Sequence, residues 1–171
     1  MQVNWIPFFS QSGSEIAEII ESTGLEPLMI ITNKKSLEYD SRLKKFNILH
    51  FTDFNSLLRI KNILDTNIVT LHGFLRIIPE DLITSHMYNG HPGLITKYPE
   101  LKGFNPQEKA FKLKLKTSGS VIHKVTPEVD SGEILTSKEI SIENLSLEEI
   151  YGKLHENSIQ LWVEFFSEIY N

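Results

Sequence analysis

The chain has 171 residues, 40% of them hydrophobic and 23% charged, and 22 acidic side chains against 17 lysines and arginines leave a formal net charge of -5. This length predicts one domain, residues 1–171, able to bury about two-thirds of the surface its unfolded form exposes without staples. With no cysteine, disulfides, thiolate metal sites and thiol nucleophiles are excluded, and the mild acidity argues against nucleic acid as a partner.

The opening stretch, Met1 to Phe9, is apolar but carries no basic leader, and the polar run Ser10 to Glu15 follows too soon for a signal peptide or a membrane span. A soluble, cytoplasmic protein without a membrane partner is expected. Apolar runs rich in branched residues then alternate with segments of helical spacing. Val3 to Phe9 reads as a buried strand, and Ser14 caps a helix through Glu21 or Ser22 that Gly24 ends. Leu28 to Thr32 and Ile48 to Phe51 follow as strands, and Asp53 caps a helix carrying Leu57, Leu58, Ile60 and Ile63. Asn67 to Leu71 is a fourth strand; Pro79 opens a helix to about His86, and Met87 to His91 is a short fifth strand.

Pro92, Gly93, Pro99, Gly103 and Pro106 keep the next stretch irregular, longer than the loops a compact domain usually tolerates without a function. A lysine-rich helix, Gln107 to about Lys116, leads to strands Ser120 to Val125 and Ile134 to Ile142. Ser146 and Glu149 form a capping box for a last helix with the apolar stripe Leu147, Ile150, Leu154, Leu161 and Phe165. This order predicts an α/β fold, a mostly parallel sheet with helices on both faces, whose ligands bind beyond the carboxyl ends of the strands. Ser10 to Glu15, Gly73 to Arg76 and Asn89 to Gly93 occupy such ends.

Asn89 and His91 lie two apart at the end of a strand, so their side chains share a side. An amide N–H can hold an oxyanion and a histidine can shuttle a proton, a pairing suited to carbonyl chemistry. The plainer alternative is a turn-capping asparagine and a satisfied histidine. Asp130, in the turn between the two late strands, either is solvated or orients His91 and a water. Ser10 to Glu15 is either an anion site at a helix start or an ordinary turn, with Glu15 a repelling charge. The remaining histidines lack paired metal-ligand spacing, so no metal is expected, and Lys109, Lys112, Lys114 and Lys116 read as a solvated face.

The runs Leu71-His72-Gly73-Phe74-Leu75-Arg76-Ile77-Ile78, Asn89-Gly90-His91-Pro92-Gly93-Leu94-Ile95 and Val121-Ile122-His123-Lys124-Val125-Thr126, with Val129-Asp130-Ser131-Gly132, together resemble the folate-dependent formyltransferases, nearest to their purine-synthesis branch. The likeness spans about Thr70 to Ile134. It implies a Rossmann-like fold and transfer of a formyl group from 10-formyltetrahydrofolate, without a metal, to the amine of a small molecule such as glycinamide ribonucleotide. Deformylation by water, or an amino sugar nucleotide as acceptor, are the alternatives.

By this resemblance Asn89, His91 and Asp130 are catalytic, and Phe74, Leu75, Arg76, Ile77, Ile78, His123, Thr126 and Val129 hold the folate. Gly13, Ser14, Gly73, Lys153 and Glu156 hold the acceptor. The chain departs from the family at Glu15, where asparagine follows Gly-Ser in a phosphate loop, and at Gly90, where a bulky residue is usual. Gly93 and Thr96 stand where the family has serine and proline, and Arg59 is out of register with a phosphate-binding arginine.

Overall fold

The computed structural model describes residues 4–35 and 38–170. Among the described residues seven strands form one sheet in the order β3-β2-β1-β4-β5-β6-β7. They are β1 (Trp5–Phe9), β2 (Ile30–Thr32), β3 (Ile48–His50), β4 (Ile68–His72), β5 (Met87–His91), β6 (Thr117–Lys124) and β7 (Ile134–Ser141). The first five run parallel, and β6 and β7 are antiparallel additions at one edge. The mostly parallel sheet expected from the alternating pattern is present. Val3, at the expected start of the first strand, lies outside the described residues.

Period-two alternation divides the central strand between the two layers. Trp5 and Phe9 join Ile16, Ile19, Trp162 and Phe166 in the core under α1 (Ser14–Thr23) and α4 (Leu147–Tyr170). Ile6 and Phe8 face the opposite way, onto Phe51, Leu57, Leu64 and Leu82. A third cluster, with Leu94, Ile95, Leu101, Val121 and Leu154, fixes the long proline-containing connection between β5 and α3 (Pro106–Lys112). That connection is ordered by what it buries. Among the described residues no helix is long and apolar enough to cross a membrane.

Local chemistry accounts for most element ends, and for where they differ from the sequence pattern. Gly24 closes α1 in the left-handed conformation, as expected, but the N-cap is Gly13 at φ 73° and Ser14 is already helical. The capping box holds, with Ser146 N–H on Glu149 Oε2 at 2.7 Å and Glu149 N–H on Ser146 Oγ at 3.2 Å. The segment capped by Asp53 is a 3-10 helix, Phe54–Ile60, before the five-residue α2 (Lys61–Asp65).

The helix expected from Pro79 to His86 is a single 3-10 turn, Glu80–Leu82. Ile83 is extended there, and the Thr84 hydroxyl accepts from His86 N–H, the local competition that breaks helices. The lysine-rich helix stops at Lys112 because Lys114 turns left-handed, φ 52°, and β6 begins at Thr117, three residues before the expected Ser120. Lys114 and Lys116 therefore lie beyond the helix.

Trp162 of α4 packs against β5 where the strand has no side chain. A Cβ on Gly90 would lie 2.6 Å from Trp162 Nε1 and 3.0 Å from Cε2, inside a fully buried ring. Gly90→Ala should therefore lower the unfolding free energy by about 1–3 kcal/mol, the range for overpacking. In urea titrations of both single variants and the double variant, Gly90→Ala with Trp162→Leu should lose less than the sum of the singles.

Candidate active site

Strand pairing brings the polar groups together. Asn89 on β5 stands directly opposite His123 on the antiparallel β6, and parallel pairing sets Asn89 beside Leu71 and Gly90 beside His72 on β4. Beyond β6 the chain reverses through residues 125–133. Gly132 makes the reversal tight, since a Cβ there would sit 1.8 Å from the Lys124 carbonyl oxygen. Asp130, left-handed at φ 50°, is folded back over the end of the sheet and only 9% exposed.

The Asp130 carboxylate joins the other groups. Its Oδ2 accepts from Gly103 N–H at 2.8 Å and lies 3.4 Å from His91 Nδ1. Its Oδ1 accepts from Asn89 Nδ2 at 3.3 Å and lies 3.3 Å from His123 Nε2. Burial opposes ionisation, yet the His123 and His91 rings and the Gly103 amide outweigh it, holding the carboxyl below its ordinary pKa. Burial acts on His91 more strongly than the neighbouring carboxylate does, so the imidazole titrates below its ordinary value and is neutral at pH 7.

The hydrogen bonds set the tautomers. His91 Nε2–H donates to the Leu101 carbonyl at 2.8 Å, which leaves the Nδ1 lone pair toward Asp130. His123 Nδ1–H donates to the Lys124 carbonyl at 2.8 Å, so Nε2 accepts from Asn89 Nδ2 at 3.1 Å. Both N–H groups of Asn89 are thus held in the free protein, one by His123 and one by Asp130. Neutral His91 has an open proton-accepting nitrogen beside a carboxylate that would stabilise its imidazolium.

A cavity of about 410 Å³ opens over these groups. Asn89, His91 and Asp130 line it together with Gly73, Phe74, Leu75, Arg76, Ile77, Ile78, His123, Thr126 and Val129. Gly73 is left-handed at φ 54° where the chain leaves β4. The Arg76 side chain is occupied elsewhere: Nη1 donates to the Thr52 carbonyl at 3.1 Å and the guanidinium lies 4.3 Å from the Phe54 ring centre. The segment after β4 therefore offers a largely apolar wall, with Leu75 and Ile77 exposed at its rim. Among the described residues no group of three or more histidines and carboxylates is arranged to hold a metal ion.

The other proposed acceptor residues do not reach this cavity. Gly13 is buried against Leu43 and Phe9, and the Ser14 hydroxyl and N–H are both engaged with Ser12 Oγ. Lys153 and Glu156 are exposed and outside the lining, while Tyr151, Leu154, His155 and Ser158 of α4 contribute to it. Spacing along α4 carried that signal, because residues 151, 154, 155 and 158 form one helical stripe. Glu15 and Phe104 also line the cavity, as do Gln11 and Asn105. Sequence reading missed the anchoring roles of Gly103 N–H and the Leu101 carbonyl, since backbone groups leave no residue-type signature.

A family model described as formyl transferase matches residues 5–165. Phosphoribosylglycinamide formyltransferase of Dictyostelium discoideum is 33% identical over 111 residues, 57% of this chain and 52% of that protein. Mitochondrial formyltetrahydrofolate deformylase 1 of Arabidopsis thaliana is 32% identical over 72% of this chain and 33% of its own length. The chain spans about half the length of the first curated relatives it matches. The crystal structure of phosphoribosylglycinamide formyltransferase from Campylobacter jejuni is 25% identical, covering 100% of this chain and 99% of that one with a TM-score of 0.85. With the sheet order, the cavity and the matched span in agreement, the chain belongs to the formyl transferase family.

Proposed function

We propose that the protein transfers a formyl group from 10-formyltetrahydrofolate to the amine of a small acceptor, with Asn89, His91 and Asp130 as catalytic residues. The convergence of these three side chains at one end of the cavity carries the reading. Glycinamide ribonucleotide, the acceptor implied by the names of several relatives, is the first amine to assay. The apolar wall Phe74 to Ile78, with Thr126 and Val129 opposite, suits a flat heterocycle held by backbone groups and apolar contacts.

The acceptor nitrogen attacks the formyl carbon, and the carbonyl π pair moves onto oxygen. Asn89 Nδ2–H holds that oxyanion after the formyl oxygen replaces Asp130 Oδ1 as its partner. The proton lost by the attacking nitrogen passes to His91 Nδ1, directly or through a water on the Asp130 carboxylate. The resulting imidazolium forms beside Asp130, which stabilises it. When the bond between the carbon and N10 breaks, the same proton goes to N10, giving the formamide and tetrahydrofolate. His123 keeps Asn89 oriented.

Asn89→Ala should lower kcat roughly 10²- to 10³-fold, and His91→Ala roughly 10²- to 10⁴-fold, with folate binding retained, as measured by tetrahydrofolate release and by calorimetry. Full activity in both variants would dismiss the mechanism.

The pH profile follows from the neutral histidine. Protonation of His91 removes the base, so kcat/KM should fall as pH drops through a pKa below the ordinary histidine value of about 6.5. In Asp130→Asn the imidazolium loses its partner, and the acid limb should move to still lower pH while kcat falls.

Deformylation is the second reading, favoured by the likeness to the Arabidopsis protein and by a carboxylate able to aim a water. A control without amine separates the two. Tetrahydrofolate released at the same rate with and without acceptor would assign the hydrolytic reaction.

A further inference from the structure

The acceptor half of the cavity has its own buried polar relay, built around Glu15. Trp5 Nε1–H donates to Thr70 Oγ1 at 2.7 Å, and the Thr70 hydroxyl lies 2.7 Å from His72 Nε2. His72 Nδ1 is 2.7 Å from Glu15 Oε1. Read in one direction, every donor has an acceptor: indole to hydroxyl, hydroxyl to Nε2, and Nδ1–H to the carboxylate. The His72 side chain is 1% exposed and Glu15 19%, so the histidine is sealed behind the carboxylate, which forms part of the cavity wall.

No lysine or arginine among the described lining residues is free to offset the charge there. Among the described lining residues Arg76 is the only lysine or arginine, and it is held by Thr52 and Phe54 beyond the other end. Arg42, which contacts α1, is taken by Asp40, Glu21 and Glu18. His155 lies 3.4 Å from Glu18. Burial opposes ionisation of Glu15, but the His72 and Ser158 hydrogen bonds and the nearby histidines outweigh it, so the carboxylate stays charged.

We propose that Glu15 selects the acceptor: this half of the cavity takes a hydroxylated or cationic amine that brings hydrogen-bond donors, and no phosphate, to the Glu15 carboxylate. The inference rests on the formyl-transfer reading and narrows its substrate class to unphosphorylated amino compounds. A phosphate dianion would meet a fixed carboxylate with no lysine or arginine beside it, whereas ammonium or hydroxyl groups complete the unused lone pairs of Glu15. Gln11, Tyr151 and Ser158 supply neutral polar groups around the same wall.

Glycinamide ribonucleotide and the corresponding ribonucleoside present the same amine with and without a phosphate. Calorimetric titration of both, with tetrahydrofolate present, should show the wild-type protein binding the ribonucleoside at least as tightly as the ribonucleotide. Glu15→Gln, which keeps an acceptor for His72, should shift the ratio of the two Kd values at least tenfold toward the ribonucleotide. Gln11→Lys places a cation in the same wall without touching the buried relay, and should shift the ratio the same way.

A wild-type protein that prefers the ribonucleotide tenfold or more, binds neither ligand, or keeps its ratio in both variants would overturn the proposal. Formyl transfer is judged separately, by tetrahydrofolate release. Binding with the expected ratio but no amine-dependent release would remove the reaction and leave the selection by Glu15 standing.

Discussion

The Asp130 carboxylate is the point on which the site depends. It is drawn out of water by a left-handed turn and met by groups from separate parts of the chain: the amide of Gly103 in the long connection and the Asn89 side chain on β5, which donate to it, and the rings of His91 and His123 beside it. A buried charge is costly unless its partners are in place. Each partner therefore constrains where the others can be. The connection is held down by Leu94, Ile95 and Leu101 in the core, and so Gly103 N–H reaches the carboxylate from a fixed base.

The change of strand direction creates the meeting place. Because β6 runs the other way, His123 stands directly across from Asn89. The turn into β7 passes back over both. The geometry of the Asn89, His91 and Asp130 cluster is thus a product of sheet topology.

Much of this was legible in the sequence because it rests on local rules. Branched apolar runs gave the strands, Gly24 and the Ser146–Glu149 pair marked helix ends, and the two-residue spacing of Asn89 and His91 put them on one side of a strand. Motif resemblance supplied the convergence of Asp130 that periodicity alone could not. The misread segments failed for local reasons as well: Thr84 captured a backbone N–H where Pro79 suggested a helix, and Lys114 turned left-handed within a lysine-rich run. The Glu15–His72 pair stayed hidden because 57 positions separate the partners, and only strand order places β4 beside α1.

Gly90 and Trp162 show how such a departure is accommodated. The indole occupies the volume a side chain on β5 would fill, and it also lies 4.6 Å from the His72 ring that positions Glu15. A change at either site therefore bears on the ring that contacts Glu15. A bulky residue fits at position 90 only where position 162 shrinks in step, so the two positions draw on one interior volume.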